Sequence, residues 1–220
     1  MATAWIVAAV LFLPAVFVLI YRFAPPPMTP LMIIRAAEGH ERSYEWVPLT
    51  RISPFLARAV IASEDQNFCS HYGFDVESIR RAWENYGDGE GTLRGGSTIS
   101  QQTAKNAFLW PDRSWLRKGL ETWFTFYIEA LWNKPRILEI YLNIVEWGPG
   151  VYGAEAAAKY HFDKSASRLN AQEAALLATV LPSPRNWSAS NPGPYVQSRA
   201  RVISGRAAKL GPLTGCLQAD

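Results

Sequence analysis

The chain has 220 residues, which is enough for one solid hydrophobic core but too few for two large domains. Aromatic residues make up 13% of it, with nine tryptophans, and this composition excludes a disordered chain. The net charge of +3 is unevenly spread, since residues 38–90 hold ten acids against five bases and residues 92–118 hold five bases against one acid. This polarity fits an acidic group beside an anion-binding surface, although solvated charged faces are the more ordinary explanation.

The chain begins with an uncharged apolar run from Ala2 to Tyr21. About 20 apolar residues are needed to cross a bilayer as a helix, and Trp5 and Tyr21 lie where an aromatic belt is expected. A cleaved signal peptide, the alternative, has a basic start and a small-residue cleavage site. We predict an uncleaved transmembrane anchor over residues 1–23. Because Arg22 follows the run and no base precedes it, the positive-inside rule alone would place the remaining chain in the cytoplasm.

Residues 24–45 are predicted to be a juxtamembrane linker with one short strand. The stretch "APPPMTP" is typical of a stiff spacer. The apolar stretch "LMIIRAAEG" that follows it predicts a strand that ends at Gly39. The main domain is expected over residues 46–210, with a tail over residues 211–220.

A helix is predicted from Ser53, which can cap its first turn. Leu56 and Val60 lie on its apolar face, and Glu64 follows at the same helical spacing, at the edge of that face. A carboxyl group held against apolar surface loses hydration, which raises its pKa and makes it a stronger base. Asp65 lies about 100° further round the helix, where we expect it to be more solvated.

The next segments are a glycine-rich stretch over residues 85–96 and then a helix that Ser97 or Thr98 can cap. Thr98 with Gln101 predicts a capping box, and Gln101 and Lys105 share a face of this helix. A long helical pattern follows and is interrupted near Pro135.

Further helical signals lie on both sides of that proline. Arg117 and Glu121 are four residues apart in the long pattern and therefore share a face. A last helix is predicted from Asn170, with Glu173 three residues on.

Three features of the sequence carry little functional information. "GPGVYG" at residues 148–153 matches the dinucleotide-binding glycine pattern but follows a helical segment, so we interpret it as a tight turn. His71 is interpreted as a hydrogen-bonded structural residue. Cys69 and Cys216 are too few for a disulfide framework or a metal site, and their pairing in an oxidising compartment is the less favoured alternative.

Several polar residues remain as candidates for a catalytic site. Two carboxylates beside a set of cations suit glycosyl transfer from a phosphate-linked donor, since one carboxylate can deprotonate a hydroxyl while the cations stabilise a departing pyrophosphate. Each residue taken singly is more simply a structural or solvated one. The candidates are Glu64, Gln101, Gln102, Lys105, Arg117, Lys118 and Glu121.

Five blocks of the sequence resemble the monofunctional biosynthetic peptidoglycan glycosyltransferases, the stand-alone relatives of the glycosyltransferase domain in bifunctional penicillin-binding proteins. They occur in the family's order and cover most of residues 60–190, and the transpeptidase motifs SxxK and KTG are absent. The blocks are "SEDQNFCSHYGFD", "GGSTISQQTAKNAFL", "RKGLETWFTFYIEALWNKPRILEIYLN", "GPGVYGAEAAAKYHF" and "LNAQEAALLATVLPSPRNW".

The resemblance implies a mostly α, lysozyme-like domain that polymerises lipid II on the outer face of the cytoplasmic membrane. The family's catalytic base falls on Glu64 and its second glutamate on Glu121. Its pyrophosphate-binding cations fall on Lys105, Arg117 and Lys118. By the same analogy, Ser97, Thr98, Gln101 and Gln102 shape the donor side, and Asp65 and His71 support the first block.

The resemblance also implies the partners and the alternatives. Lipid II, the growing glycan chain, the membrane and proteins of cell division or cell-wall synthesis are expected partners, and nucleic acid is not. No cofactor is expected to be required, while Mg²⁺ or Mn²⁺ could stimulate the reaction at the pyrophosphate. A lysozyme-like glycan hydrolase or lytic transglycosylase and a catalytically silent membrane scaffold are the competing hypotheses.

Overall fold

The structure is a computed structural model that describes residues 2–77, 79–80, 96–112 and 114–217. It is mostly helical, which confirms the mostly α part of the predicted fold class. The predicted glycine-rich segment at residues 85–96 lies outside the described residues except for Gly96. Within the described ranges, the α-helices are α1 (Ala2–Phe23), α2 (Pro30–Ala37), α3 (Pro54–Glu64), α4 (Ile99–Phe108), α5 (Trp115–Leu131), α6 (Lys134–Ile144), α7 (Ala154–Phe162), α8 (Ala171–Val180) and α9 (Pro194–Lys209).

The helices begin where the sequence offers capping groups. The Ser53 side chain accepts a hydrogen bond in the first turn of α3. Thr98 and Gln101 form the predicted capping box at the start of α4, and Asn170 and Glu173 form another at the start of α8. Such caps satisfy backbone N–H groups that have no partner inside the helix. The predictions of these helix starts are confirmed.

Two groups of helices pack around the core. The helices α3, α8 and α9 contact one another, and α4 contacts both α5 and α6. Completely buried side chains such as Trp147, Tyr141 and Phe68 fill the interior. The end of α3, at Glu64, lies against the second group, since Gln102 of α4 donates a hydrogen bond to Glu64.

A small sheet of three strands supports one end of the domain. Its strands β1 (Ser43–Tyr44), β2 (Glu146–Gly148) and β3 (Val151–Tyr152) lie in the order β1-β3-β2, with β1 parallel and β2 antiparallel to β3. The turn between β2 and β3 contains Gly150 at φ +73°, where an added Cβ would lie 2.1 Å from the backbone oxygen of Glu41. The "GPGVYG" segment is therefore a tight turn, as predicted.

The strand predicted in the linker is wrong. Residues Pro30–Ala37 form α2, which Thr29 caps by accepting a hydrogen bond from the backbone N–H of Met32. Met32 is 1% exposed, because α2 packs against α4. A short apolar run does not distinguish a strand from a buried helix by periodicity, and here the cap and Pro30 at the first helical position decide for the helix. Gly39, at φ +84°, follows the end of α2.

The N-terminal apolar run is helical. The last turns of α1 contact the second helix group, and the Trp132 indole N–H donates a hydrogen bond of 2.8 Å to the Val18 carbonyl. Arg136 donates hydrogen bonds to the carbonyl oxygens of Tyr21 and Ala24, just where the helix runs out of internal donors. In the described part of the chain, no helix combines the length and the hydropathy needed to cross a membrane.

The two cysteines form a disulfide bond, contrary to the favoured expectation. Cys69 follows α3 in the chain, and Cys216 lies in the 3₁₀ helix Gly211–Leu217 near the C-terminus. Both pack against the hydrophobic core. Sequence spacing gave no sign of this pairing, because 147 residues separate the two positions and only the fold brings their Cα atoms to 5.5 Å.

Candidate active site

Glu64 is the last residue of α3 and is partly buried, at the edge of the helix's apolar face as predicted. Its Oε2 atom accepts a 2.9 Å hydrogen bond from the Gln102 amide, and its Oε1 atom accepts one of 3.1 Å from the Ser63 hydroxyl. Burial raises the pKa of the Glu64 carboxyl, and these hydrogen bonds and the positive charge of Lys105 offset part of that effect. A carboxylate with a raised pKa and one donor on each oxygen can still accept a proton.

Asp65 is buried, so the expectation that it is more solvated is wrong. Its carboxylate accepts hydrogen bonds from the His71 ring at 2.9 Å and from the Ile99 backbone N–H, the first residue of α4, at 2.9 Å. The chain leaves the helical conformation at Asp65, which has φ −163°, so the 100° rule of a continuing helix does not apply. Asp65 therefore ties the end of α3 to the start of α4.

His71 is a hydrogen-bonded structural residue, as the sequence predicted. Its Nδ1 atom accepts a hydrogen bond from the Gly73 backbone N–H, so the ring proton lies on Nε2 and is donated to Asp65. The ring also packs edge-on against Phe68. His71 thus supports the segment that follows Glu64.

Two of the residues that were expected to shape the donor side hold the start of α4. The Gln101 side chain accepts a hydrogen bond from the Thr98 backbone N–H, and the Thr98 hydroxyl donates one of 2.7 Å to the Gly73 carbonyl. Both side chains are buried, at 4% and 3% exposure. Their contacts in the structure are with the protein, and a contact with substrate stays a prediction for them.

Lys105 lies on α4 between the two carboxylates. Its ammonium group interacts electrostatically with both Glu64 and Glu121, and it makes no hydrogen bond or ion pair with any residue that the structure describes. Burial lowers the pKa of Lys105, as does the positive charge of Arg117. A desolvated cation of this kind gains from binding an anion.

Glu121 is 3% exposed and binds two cations of α5. The Arg117 guanidinium donates a 2.6 Å hydrogen bond to Oε2, and the Lys118 ammonium donates one to Oε1. The predicted shared face of Arg117 and Glu121 is confirmed. Three cations (Lys105, Arg117 and Lys118) face one carboxylate here, so the cluster keeps a net charge of +2. That charge suits a diphosphate group.

Ser97 lies between the cation cluster and the groove, the name used here for the cavities that Glu64 lines. Its hydroxyl accepts a 3.3 Å hydrogen bond from the Lys118 ammonium. Ser97 and Glu64 both line two cavities, one of about 250 Å³ and one of about 700 Å³. The structure therefore brings Glu64, Ser97 and the cation cluster into one region.

The larger cavity contains residues that the sequence analysis did not single out. One of its walls is formed by α8, α9 and the segment between them. Part of this wall belongs to the block "LNAQEAALLATVLPSPRNW", and the rest follows that block in the chain. Arg199 of α9 lowers the pKa of Glu64 through its positive charge, and the ring centroids of Trp187 and Tyr195 lie 5.2 Å apart. Tyr195 and Arg199 lie on α9, and helical periodicity could not show that α9 packs against α3. The added wall residues are Thr179, Ser183, Trp187, Tyr195, Arg199 and Ile203.

No group of three or more His, Cys, Asp or Glu side chains that could hold a metal ion occurs among the residues that the structure describes. The three cations near Glu121 would repel a divalent cation unless an anionic substrate came with it. The stimulatory role of Mg²⁺ or Mn²⁺ stays a prediction.

A helical domain with a desolvated carboxylate beside a positively charged cluster is the architecture of an enzyme that handles an anionic group. The chain belongs to the transglycosylase family, since the model of the family described as "Transglycosylase" matches residues 32–208. This confirms the resemblance found in the five sequence blocks.

Curated relatives match nearly the whole chain. A "Biosynthetic peptidoglycan transglycosylase" of Caulobacter vibrioides is 52% identical over 207 residues, which is 94% of this chain and 87% of the relative. A protein of the same name from Rhodospirillum centenum is 57% identical over 189 residues, covering 86% of this chain and 81% of the relative. One from Pseudomonas putida is 50% identical over 225 residues, covering 100% and 93%.

Proposed function

We propose that the chain is a peptidoglycan glycosyltransferase that polymerises lipid II into β-1,4-linked glycan strands and releases undecaprenyl pyrophosphate. The names of the relatives support this activity. The observation that carries the proposal is that Glu64 and the cation cluster lie in one region. Ser97 lines a cavity with Glu64 and accepts a hydrogen bond from Lys118, and Lys105 interacts electrostatically with both Glu64 and Glu121. A glycan hydrolase has no use for a net-positive cluster beside its carboxylate, so the cluster favours the transferase.

In the proposed reaction, Glu64 takes the proton from the 4-hydroxyl of the acceptor's N-acetylglucosamine. The hydroxyl oxygen then forms a bond to the anomeric carbon of the donor. The bond from that carbon to the pyrophosphate breaks, and its electron pair leaves with the pyrophosphate. A single displacement of this kind inverts the α-linked donor to a β-linked product.

The cation cluster is proposed to receive the pyrophosphate. Lys105 is the cation with no hydrogen-bonded carboxylate among the described residues, so it is best placed to bind the phosphate directly. Glu121 holds Arg117 and Lys118, which supports a role in orienting donor-side groups. Such fixed charges stabilise the leaving group without reorganisation during the reaction.

We propose that α1 anchors the enzyme and that the domain lies on the periplasmic side of the membrane. Apolar side chains on α1 such as Phe12, Phe17 and Ile20 are exposed, which supports contact with lipid. The disulfide supports the outer side, because disulfide bonds persist in oxidising compartments and are rare in the cytosol. A C-terminal alkaline phosphatase fusion is expected to be active in cells, and an inactive fusion with an active cytoplasmic reporter would reject this topology.

The activity is tested with the purified full chain and labelled lipid II in detergent. We expect long glycan strands that lysozyme digests, and the loss of this product in Glu64→Gln, because the amide keeps the size of the side chain and cannot take the proton. Glu146→Gln is the matched control, since burial also raises the pKa of Glu146 and it lies outside the groove walls described above. Near-normal turnover in Glu64→Gln would reject Glu64 as the base, and degradation of preformed glycan would favour a hydrolase.

A further inference from the structure

A chain of hydrogen bonds leads from the core to Glu64. The Tyr141 hydroxyl, on α6, donates a 3.1 Å hydrogen bond to the Gln102 side-chain oxygen. The Gln102 amide nitrogen donates a 2.9 Å hydrogen bond to Oε2 of Glu64. Tyr141 is 0% exposed, so it does not line the groove and has no route to substrate.

The direction of these hydrogen bonds follows from the groups involved. A carboxylate only accepts, so the Gln102 amide must present its NH₂ group to Glu64. Its oxygen then points to Tyr141, whose hydroxyl must donate. Burial and the negative charges of Glu64 and Asp65 raise the pKa of Tyr141 well above its ordinary value, which keeps the proton on this donor.

We propose that Tyr141 is a positioning residue for the catalytic base, because it fixes the Gln102 amide in the orientation that donates to Glu64. The inference deepens the proposed function and rests on Glu64 as the base. If the Gln102 amide turned over, its oxygen would face the carboxylate and repel it. The side chains of Tyr141 and Gln102 thus set both the orientation of Glu64 and the pH at which it becomes ionised.

The other charged groups that face Glu64 come from neighbouring helices and stay in place when Tyr141 is changed. Lys105 on α4 and Arg199 on α9 each favour the ionised carboxylate, and the Ser63 hydroxyl donates to its other oxygen. Asp65 is held by its own hydrogen bonds to His71 and Ile99. A change in the titration of Glu64 on removing the Tyr141 hydroxyl would therefore report on Gln102.

The test is Tyr141→Phe, assayed for lipid II polymerisation across a range of pH. Loss of the fixed amide donor disfavours the ionised Glu64, so the acidic limb of the rate profile is expected to move to higher pH. At the acid end the rate is expected to fall about threefold to tenfold, which corresponds to one hydrogen bond, and at the alkaline end to come within about twofold of the parent. Tyr152→Phe is the matched control, because the Tyr152 hydroxyl is buried without a hydrogen-bond partner in the described structure.

A second variant keeps the inference testable if Tyr141→Phe folds poorly. Gln102→Ala is expected to move the acidic limb in the same direction, and adding Tyr141→Phe to it is expected to move the limb no further. An equal loss of rate at every pH in Tyr141→Phe, or additive shifts in the double variant, would overturn the positioning role. If Glu64→Gln kept near-normal turnover, Glu64 would be rejected as the base and the positioning role would fall with it. A parent chain that forms no glycan strands from lipid II would instead reject the proposed function, which is a different outcome.

Discussion

Glu64 combines two properties that oppose each other at the scale of a single residue. Its burial makes it a good base, and the same burial disfavours its charge. Because its pKa is raised in the folded state, the folded protein binds the proton more tightly than the unfolded chain does. The ionised carboxylate therefore lowers the free energy of unfolding at neutral pH, and this penalty disappears as the pH falls through the raised pKa.

Glu64→Gln is thus expected to be inactive and more stable at the same time. A gain of about 1 kcal/mol would raise the melting temperature by roughly 2–4 °C in a domain of this size. The gain should be present at neutral pH and should shrink as the pH is lowered, as thermal unfolding across that range would show. A melting temperature below that of the parent at neutral pH would contradict the proposed desolvation of Glu64.

Substitutions of Lys105 and Arg117 are expected to affect stability differently, although the family resemblance assigns both residues to binding the pyrophosphate. Burial lowers the pKa of Lys105, and within the described structure it has no ion pair, so Lys105→Met should lose activity without losing stability. Arg117→Met would leave the buried Glu121 with one hydrogen-bonded cation, Lys118, which should lower the free energy of unfolding by about 1–3 kcal/mol. Urea unfolding and lipid II turnover measured on both variants check this, and an equal loss of stability in the two would contradict it.

At the scale of the elements, the segment after α3 links Glu64, the proposed base, to the start of α4. Asp65 holds the first N–H of α4, and Thr98 at the start of α4 holds the Gly73 carbonyl. The helix start is a favourable place for a carboxylate because its N–H groups lack partners and carry partial positive charge. These contacts fix α4, and with it Gln102 and Lys105, relative to Glu64.

The sequence predicted the elements well where local chemistry decides them. The caps at Ser53, Thr98 and Asn170 were predicted because a capping side chain bonds to a backbone group two or three residues away. The strand predicted at residues 31–39 was wrong because a short, largely apolar stretch fits either a strand or a helix, and the packing of the helix against α4 is a tertiary effect.

Contacts between distant segments could not be predicted from spacing. The sequence motifs identified Glu64, Lys105 and Glu121 as candidates. The cavity wall that contains Arg199 and Trp187 could not be identified in this way, because it depends on how α9 packs against α3. The burial of Asp65 was missed for the same reason, since its partner Ile99 is 34 residues away. The carboxylates could be identified because their residue type and helical position are local properties of the sequence. The groove could not be predicted, because distant segments form its walls.

At the scale of the whole molecule, the disulfide joins the segment after Glu64 to the C-terminus. Closing a loop with a separation of 147 residues restricts the unfolded chain strongly. Cys216→Ser is expected to lower the free energy of unfolding by about 2–5 kcal/mol, and Cys69→Ser should give the same loss. Thermal unfolding of the two variants, and of the parent with and without reductant, measures this.

The two variants serve as controls for each other. An equal loss of stability in both would be due to the missing disulfide bond, and a difference between them would be due to the packing of one of the side chains. Reduction of the parent should reproduce the variants' lower stability. A parent whose melting temperature stays the same after both thiols have been reduced and alkylated would show that the bond does not stabilise the fold.

The C-terminal end of α1 is fixed to the domain by hydrogen bonds. Trp132 bonds to the Val18 carbonyl, and Arg136 bonds to those of Tyr21 and Ala24. Under the proposed anchorage, the contacts of α1 with Trp132 and Arg136 would fix the height of Glu64 above the bilayer, whatever the length of the proline-rich spacer. We then expect a substrate whose lipid tail stays in the membrane to present its sugars to Glu64 at one fixed distance from the lipid surface.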